Sequence, residues 1–514
     1  MQAHDSRQWT IAMQDELKSL LEVHKVAKWV KYEPGMKVYK CKPVFKRKRD
    51  HEGNVVRHKV RYTIAAYTKT MIQGIDYKEK HAQTAMWGTV TLIIWIAVQH
   101  DWPIWLIDIK TFFLYGVLPE DEVVYMEPFP GMKHRENHVL QLVKAVYGLP
   151  SAAHHAQQKL HHTLTKDGLF KQSIYDPCLY VLIQGKARFF LATHVDDGPC
   201  TGNSAGYKLA VECLKSVFEI TVTKEPKMIL GVQIDRDFNT KTIKLHQTTY
   251  VKSMLSKFGL ERCKERATPM EKNAAGIIHK KLREAKERGA QGKEEDLQQR
   301  MGTLIYLKTR PDIAFANTFV ARFSTSAGTE EVKMANDIMR YLAKFPSGGL
   351  QLKASNTPQM VWYADADLAG DPVTAKSTGG VIGQDGSGNT FFYRSWLQRK
   401  VSDSTGMAET YAAHEACRLI QLFVGLWKEV GLQIKLPVKL HVDSENVFKL
   451  SKGITNHHAS RHYRIAQAFI AEKVKDGLVE LVYIRTDKNP ADLLTKALSR
   501  EVHDRHAQRV MVMK

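Results

Sequence analysis

Hydrophobic and polar residues change their spacing along the chain, and the change divides it into two kinds of region. Up to about residue 345, short apolar runs with strand character alternate with stretches of helical periodicity. From residue 360 the pattern becomes three successive strands, a long helix and then further strands and helices. We therefore predict an α+β region followed by an α/β domain built on a mixed five-stranded sheet.

The first region is predicted to combine amphipathic helices with buried strands. Helices are predicted at 10–25, 82–100, 151–168, 205–218 and 248–258, and strands at 103–109, 178–184, 187–195 and within 220–247. A strand pair with basic flanks surrounds a turn at 50–54, a natural element for contacting phosphates. The charged segment 271–300 indicates a solvated linker or an exposed helix. Further helices are predicted near 300–308, 312–323 and 330–344.

Acidic residues stand at the ends of two predicted strands in the first region. Asp108 closes the apolar run WPIWLID, and Asp196 with Asp197 follows RFFLATHV. Adjacent carboxylates repel each other unless a cation lies between them, and Mg²⁺ prefers carboxylate and phosphate oxygens. The three acids therefore predict a two-metal site for phosphoryl transfer, although Asp-Asp-Gly alone is also typical of a solvated turn.

Four further acids occupy similar positions in the C-terminal domain. Asp365 ends the strand pattern VWYAD, and Asp443 ends VKLHVD. Glu409 and Asp492 fall near the starts of two predicted helices. Carboxylates from two strand ends and two helix starts can converge at one edge of a sheet, so we predict a second site for two Mg²⁺ ions.

Composition indicates anionic partners. The 514 residues include 75 basic and 54 acidic side chains, a formal charge of +21, with 44% hydrophobic residues. Such a surplus on a folded protein creates a field that attracts polyanions. Nucleic acid is favoured over an anionic membrane, because no basic amphipathic anchor is present.

Other classes of protein are disfavoured. The apolar run TVTLIIWIAV is too short to span a bilayer, and the N-terminus lacks the apolar segment of a signal peptide. The six cysteines form no Cys-x-x-Cys pair, which favours an intracellular location in cytoplasm or nucleus. The pairs His154-His155 and His161-His162 lack an acidic or cysteine partner nearby, so a zinc site is disfavoured.

Several motifs occur in the order found in one known family. In the first region they are DIKTFFLYGVLPEDEVVYMEPFPGM, LVKAVYGL, DPCLYV, HVDD, LGVQIDRD, FGLERCK and TRPDIAFA. In the C-terminal domain they are YADADLAGD, STGMAETYA, HVDSENVFKLS and NPADLLTKAL. From about residue 9 to 498 the chain resembles the reverse transcriptase and ribonuclease H segment of copia-type retrotransposon Pol polyproteins. The set is highly specific, whereas each motif alone is weak.

The resemblance implies a right-hand polymerase with fingers, palm and thumb, joined to a ribonuclease H-like domain. The corresponding expected domains are fingers and palm at 1–258, thumb or connection at 259–355, ribonuclease H at 356–500 and a basic tail at 501–514. The implied partners are an RNA template, a DNA primer, an RNA–DNA hybrid and dNTPs. The implied cofactor is Mg²⁺, two ions per site, with Mn²⁺ as an alternative.

Site residues follow by match to the family's motifs. The polymerase metal ligands would be Asp108, Asp196 and Asp197, and the ribonuclease H metal ligands would be Asp365, Glu409, Asp443 and Asp492. Phe113 would exclude a ribose 2′-hydroxyl, and Lys59 and Arg61 would face the incoming triphosphate. Ser151 replaces a glutamine that would touch nucleotide and template.

The chain departs from the family mainly around the nucleotide pocket. The departures are Pro43, Ala65, Phe112, Ser151 and, in place of a tyrosine, His194. Lost positioning contacts can lower a rate by orders of magnitude while metal ligands survive, so we expect an impaired polymerase. The ribonuclease H region keeps its four acids, although Met407 replaces an extra glutamate.

Three functional hypotheses remain open from the sequence. The first is an enzyme with both activities, and the second is a ribonuclease H with an impaired polymerase. The third is a catalytically silent protein that only binds nucleic acid. The absence of the family's upstream regions fits either a processed fragment or a decayed genomic copy.

Overall fold

The computed structural model describes residues 5–49, 54–65, 71–274, 276–278, 294–325, 328–354, 359–452 and 461–513. They form two compact units. The first unit comprises Met1–Met86 and Trp105–Lys224, and the second comprises Trp87–Ile104 and Glu225–Lys514. Within the described residues, no helix has the length and apolar character needed to cross a membrane.

Strands and helices are distributed over the described part of the chain. The strands are β1 Ala27–Lys31, β2 Val38–Tyr39, β3 Cys41–Arg49, β4 Val55–Ile64, β5 Ile104–Ile109, β6 Tyr125–Met126, β7 His138–Leu142, β8 Lys171–Gln172, β9 Leu179–Gln184, β10 Ala187–Ala192, β11 Asp197–Gly202, β12 Ile220–Lys224, β13 Met228–Ile229, β14 Val232–Asp237, β15 Thr242–His246, β16 Gly349–Lys353, β17 Met360–Asp367, β18 Thr378–Asp385, β19 Thr390–Leu397, β20 Val438–Val442 and β21 Val479–Tyr483. The α-helices are α1 Ser6–Lys18, α2 Trp87–His100, α3 Ala152–Thr165, α4 Ser204–Lys215, α5 Thr248–Lys257, α6 Glu294–Ile305, α7 Ala314–Ala321, α8 Thr329–Lys344, α9 Thr405–Glu429, α10 Glu445–Phe448, α11 Arg461–Lys475 and α12 Arg500–Val510. Most lie within a few residues of their predicted positions, whereas the turn residues 50–53 and the linker residues 279–293 lie outside the described residues.

The first unit is built around a six-stranded sheet of order β12-β5-β11-β10-β9-β8. Its core contains buried side chains from the sheet and from α3 and α4, such as Phe189, Leu160 and Leu214. Each such burial stabilises the fold by about 1.5–3 kcal/mol. Since β5 and β11 are neighbours, the end of β5 and the start of β11 lie side by side.

The same unit contains a four-stranded sheet and a separate hairpin. The four-stranded sheet has the order β1-β7-β6-β2, and the hairpin pairs β3 with β4. A second core cluster joins them through buried residues such as Leu20, Tyr62 and Leu140. This cluster fixes the basic hairpin, because Tyr62 lies on β4 and is completely buried.

The second unit contains the mixed five-stranded sheet that the sequence predicts. Its order is β19-β18-β17-β20-β21. Strands β17, β18 and β19 pair antiparallel, whereas β20 is parallel to β17 and to β21. Helix α9 packs on the sheet with a buried face that includes Phe423 and Trp427. The observed order β17-β18-β19-α9-β20-α11-β21 confirms the predicted ribonuclease H-like architecture.

Helix α2 belongs to the core of the second unit. Its residues from Gly88 to Val98 are all buried, as expected for a helix that is apolar on every side. Trp95 donates a hydrogen bond from Nε1 to Asp385 at 2.7 Å, and its ring stacks on Trp427 at 4.8 Å between centroids. The predicted domain 1–258 grouped this helix with its sequence neighbours, whereas the structure places it against β18 and α9.

The second unit also contains a helical cluster and a C-terminal helix. Helices α5 to α8 share one buried core that includes Leu304, Phe319 and Ile338. The residues expected as a basic tail at 501–514 include helix α12. His503, Ala507 and Val510 recur at helical spacing and are buried, which gives this segment an inward face despite its basic composition.

Candidate active sites

Two acids of the first predicted group, Asp196 and Asp197, lie at a tight turn between β10 and β11. His194 N–H donates to Asp197 O at 2.7 Å, and Asp197 N–H donates back to His194 O at 3.2 Å. Val195 has a φ of 60°, a left-handed conformation that costs a β-branched residue on the order of 1–3 kcal/mol. The turn therefore holds Asp196 in an exposed position at the expense of local strain.

Backbone hydrogen bonding brings Asp196 to the end of β5. Ile109 N–H donates to Asp196 O at 3.0 Å, one residue after Asp108. Burial and the nearby Asp196 carboxylate raise the pKa of Asp108. Burial, then Asp196 and Asp108, raise the pKa of Asp197. The three acids thus lie close enough to repel one another, which is the electrostatic signature of a cation-binding site.

An open cleft of about 560 Å³ lies over these acids. Asp108 and Asp196 line it, whereas Asp197 does not. Four cations of the β3–β4 hairpin also line it, which are Lys48, Arg57, Lys59 and Arg61. A cleft that combines acids with cations suits a phosphate-bearing ligand held with a metal ion.

The register of the hairpin places its cations on one face. Lys48 pairs with Arg57 across the strands, and Lys46 pairs with Lys59. Like charges directly opposite each other are destabilising. Burial lowers the pKa of Lys59, and the neighbouring charges of Arg61 and Lys48 lower it further. This row of cations is therefore arranged for an anionic ligand rather than for the stability of the hairpin.

Of the two adjacent phenylalanines, Phe113 is the one left partly exposed at the cleft. Phe112 is 3% exposed and packs in the core of the main sheet. The ring of Phe113 meets Tyr147 edge-on, at 6.0 Å between centroids. The Arg61 guanidinium lies 5.0 Å from the Tyr147 ring centroid. Phe113 and Arg61 are thus joined through one aromatic ring.

The structure does not bring Ser151 into the cleft. Ser151 is completely buried, and its hydroxyl donates a hydrogen bond to Glu122. Nε2 of His155 lies 2.8 Å from the second oxygen of Glu122. Ser151 and His155 therefore satisfy a buried carboxylate, an arrangement that sequence reasoning missed because Glu122 carries no motif of its own.

Three of the second group of acids converge within the five-stranded sheet. Oxygens of Asp365, Glu409 and Asp443 all lie within 4.8 Å of one another. Asp365 comes from β17, Asp443 follows β20, and Glu409 lies in the first turns of α9, where Ser404 Oγ accepts a hydrogen bond from Met407 N–H. Among the described residues this is the one such group of three, so Asp108, Asp196 and Asp197 are less tightly gathered.

The fourth acid, Asp492, lies beside this cluster together with a lysine. It belongs to a 3₁₀ turn, Pro490–Leu494, which Asn489 caps. Lys496 Nζ lies 2.9 Å from Asp492 Oδ1 and 3.9 Å from Asp365 Oδ2. The hydroxyl of Thr495 donates to Asp365. Lys496 is the local counter-charge that sequence reasoning missed, although its spacing of four residues from Asp492 could have indicated it.

The acids of the second cluster fit a divalent metal ion. Asp443 Oδ1 is buried and makes no hydrogen bond of acceptable geometry to the described residues. Burial, followed by Asp365 and Asp443, raises the pKa of Glu409 well above its usual range. Burial and Asp365 also raise the pKa of Asp443. A buried carboxylate oxygen without a hydrogen-bond partner needs a cation or a proton. Because Lys496 supplies one positive charge among four acids, the cluster can bind further positive charge.

Proton uptake by this cluster predicts a pH-dependent stability that a divalent cation should remove. The pKa of Asp492 is raised to about 8 from an ordinary 3.8, chiefly by burial, so the folded metal-free protein holds an extra proton between these values. Stability should therefore fall as pH rises through that window. In chelator we expect calorimetry to give a Tm roughly 3 °C or more lower near pH 8.5 than near pH 6.

Mg²⁺ should restore more of the Tm at the higher pH, because it competes with protons for the same oxygens. Asp492→Asn provides the control, since an amide does not titrate and this variant should lose most of the pH dependence. A metal-free Tm that rises across this window in the wild type, but not in Asp492→Asn, would contradict the arrangement.

Comparisons with known proteins identify sequences and a fold that are similar to this chain. Residues 24–272 match the family described as reverse transcriptase (RNA-dependent DNA polymerase). The Pol polyprotein from transposon TNT 1-94 of Nicotiana tabacum is 31% identical over 95% of this chain and 36% of its own length. That from transposon RE2 of Arabidopsis thaliana is 28% identical over 100% of this chain and 34% of its own length. The chain thus spans about a third of these curated relatives.

The fold has a counterpart among solved structures. A foamy viral protease-reverse transcriptase, solved with double-stranded DNA, aligns with a TM-score of 0.50 and 14% sequence identity. The alignment covers 93% of this chain and 69% of that one. At this identity the likeness concerns the fold alone. Residues 24–272 are thus similar to the reverse transcriptase family, and the chain is similar along its length to part of copia-type Pol polyproteins.

Proposed function

We propose that the chain is the RNA-directed DNA polymerase and ribonuclease H portion of a copia-type retrotransposon. The observation that carries the polymerase assignment is the cleft that Asp108 and Asp196 line together with the cations of the β3–β4 hairpin. The close group of Asp365, Glu409 and Asp443 supports the ribonuclease assignment. Each unit thus contains its own carboxylate site.

In the polymerase site, the acids and the hairpin would divide the work. Asp108, Asp196 and Asp197 would hold Mg²⁺, which when bound stabilises charge on the reacting phosphate oxygens. Lys59 and Arg61 would bind the triphosphate of an incoming dNTP and hold it in line with the primer 3′-hydroxyl. Phe113 would border the sugar and restrict a 2′-hydroxyl. An RNA template with a DNA primer is the corresponding substrate.

In the ribonuclease site, Asp365, Glu409, Asp443 and Asp492 would hold Mg²⁺, with Mn²⁺ as a substitute. When bound, these ions would polarise the phosphate group and lower the pKa of a water molecule. Lys496 would balance the negative charge of Asp492 while the metal is absent. The RNA strand of an RNA–DNA hybrid is the expected substrate, recognised through its backbone and 2′-hydroxyls. An intracellular site of action, in cytoplasm or nucleus, belongs to the same proposal.

A ribonuclease H with an impaired polymerase is the second candidate. The tighter gathering of Asp365, Glu409 and Asp443, compared with Asp108, Asp196 and Asp197, favours it. The burial of Ser151 against Glu122 also favours it, since the glutamine of the family is then replaced by a side chain that does not reach the cleft. Primer extension on poly(rA)/oligo(dT), run beside cleavage of a labelled hybrid, separates the two candidates. Cleavage without extension would establish the second one.

The hairpin cations should control the affinity for the nucleotide. We expect Lys59→Ala and Arg61→Ala each to raise the KM for dTTP by about 10- to 100-fold, because charge-assisted contacts to phosphate contribute roughly 1.5–3 kcal/mol. Added salt should raise the KM for dTTP by a larger factor in the wild type than in either variant. Steady-state primer extension, run at several salt concentrations, measures the KM and its dependence on salt.

Lys28→Ala is the matched control, because Lys28 is exposed on β1 and does not line the cleft. It should leave the KM for dTTP within about 2-fold of wild type. An equal rise in KM for Lys28→Ala would show that only overall charge matters, and it would contradict a specific triphosphate site on the hairpin.

A further inference from the structure

A buried histidine braces the loop that follows Asp108. His24 lies just after the helical turn Ser19–Val23 that continues α1, and it is 5% exposed. Its Nε2 lies 2.9 Å from Thr111 Oγ1. Its ring meets Tyr115 edge-on, at 4.8 Å between centroids. The Tyr115 hydroxyl accepts a hydrogen bond from Glu219 N–H at 2.9 Å. Glu219 directly precedes strand β12, so this chain of contacts links His24 to the six-stranded sheet.

The hydrogen bonds around Thr111 assign the proton on His24. The Thr111 hydroxyl donates to Lys110 O at 2.7 Å. Since a hydroxyl has one proton, its contact with His24 must be one in which Nε2–H donates and Oγ1 accepts. Burial lowers the pKa of His24, which is consistent with a neutral ring protonated at Nε2. The histidine therefore acts as a fixed donor to the loop.

Thr111 needs such a brace because its backbone is strained. Its φ of 51° and ψ of 34° are left-handed, a region that β-branched residues avoid. Holding a residue there is unfavourable, so the conformation persists only where its surroundings impose it. Thr111 O also accepts from Leu114 N–H at 2.8 Å, which starts the 3₁₀ turn Phe112–Tyr115. The strained residue thus sets the position of Phe113.

Phe113 is consequently confined from two directions. On one side its ring meets Tyr147, against which Arg61 lies. On the other side its turn begins at the residue that His24 holds. His24, Thr111 and Phe113 all line the same cleft as Asp108. A small movement of Thr111 would therefore move Phe113 relative to anything bound in the cleft.

We propose that His24 is a positioning residue for sugar selection, holding Thr111 so that Phe113 keeps ribonucleotides out of the cleft. The inference rests on the proposed polymerase function and deepens it. The hydrogen-bond and ring partners of His24 are Thr111 and Tyr115, and neither is a proposed metal ligand. His24 would set how much space Phe113 leaves for a ribose 2′-hydroxyl. Loss of the Nε2–H donor should therefore reduce the preference for deoxyribonucleotides over ribonucleotides more than it slows DNA synthesis.

The test compares dTTP with UTP on poly(rA)/oligo(dT). We expect His24→Ala to lower the ratio of kcat/KM for dTTP over UTP by about 10-fold, since a displacement of about 1 Å in a site has effects of this order or larger. His24→Gln, whose amide offers a donor of similar reach, should stay within about 2-fold of wild type. His134→Ala, an exposed control in the same unit, should leave the ratio unchanged.

A double-variant comparison shows whether the effect passes through Phe113. Phe113→Ala should lower selection further than His24→Ala, and the combined variant should match Phe113→Ala alone. Independent, additive losses would contradict the proposed route. An unchanged ratio in His24→Ala, with Phe113→Ala reduced, would overturn the role of His24 while leaving the polymerase assignment intact.

Equilibrium binding gives a readout that does not need turnover. On a complex with a dideoxy-terminated primer, the ratio of the Kd for UTP to that for dTTP should fall in His24→Ala by the same factor. A wild type that binds both nucleotides with no preference would overturn this inference alone. A wild type that binds neither nucleotide would overturn the polymerase proposal and this inference with it.

Discussion

Asp443→Asn is expected to abolish cleavage of an RNA–DNA hybrid, with a loss of about 1,000-fold or more, and to leave primer extension unchanged. Asp443 is one of three acids whose oxygens lie within 4.8 Å of one another. An amide in its place removes a charge and an anionic ligand from a metal site, where each contributes several kcal/mol to charge stabilisation. The substitution also relieves repulsion of Glu409 and Asp365, so the metal-free Tm should not fall.

The measurement is gel analysis of a hybrid labelled on its RNA strand. Asp476→Asn serves as the control, because Asp476 has a half-exposed side chain at the end of α11. It should cleave at the wild-type rate. Retained cleavage in Asp443→Asn, at the wild-type dependence on Mg²⁺, would remove the close acid cluster from the ribonuclease mechanism.

Asp196→Asn is expected to reduce primer extension by about 1,000-fold while hybrid cleavage continues. The carboxylate of Asp196 is exposed at the strained turn and lines the cleft beside Asp108. Its exposure means that the amide should fold normally, so the loss would come from the missing metal ligand. Extension of a labelled primer on poly(rA) measures the effect.

Asp167→Asn is the matched control for this variant. Asp167 is exposed in the same unit, and its φ of 56° is one that asparagine also tolerates. It should extend primers like the wild type. If Asp196→Asn extends them equally well, the acids of the first unit are not the polymerase site.

The two sites differ in how their charge is balanced. Around Asp108 the protein supplies four hairpin cations, which line the same cleft. Around Asp365 and Glu409 it supplies Lys496. The first arrangement leaves positive charge available for the phosphates of a substrate. The second leaves the acids under-neutralised, so external cations should matter more for the stability of the second unit.

The sheet of the second unit could be predicted because its signals are local. Each strand is recognised from the alternation within its own few residues, as in VWYAD and VKLHVD, which both end in an acid. The structure has these elements in the predicted order. Helix α2 shows the limit of that reasoning. A helix that is apolar on every side must be buried, but its pattern does not say against which sheet, and Trp95 finds its partner Asp385 290 residues away.

Parts of the polymerase site were also beyond local patterns. Strand-end positions indicated Asp108 and Asp196, and the family resemblance indicated Phe113. The partnership of Ser151 with Glu122 and that of His24 with Thr111 join residues far apart in sequence. Neither histidine nor serine has a spacing that predicts such a contact. Tertiary packing decides which side chains these residues contact. In the proposed site they position other residues and are not themselves metal ligands.

The most direct test measures both activities on one preparation of the full chain, in Mg²⁺, for wild type, Asp196→Asn and Asp443→Asn. With two independent carboxylate sites, the wild type should extend a primer and cleave a hybrid, Asp196→Asn should lose extension alone, and Asp443→Asn should lose cleavage alone. Loss of both activities in either variant, or loss of neither in both, would contradict the assignment of one phosphoryl-transfer site to each unit.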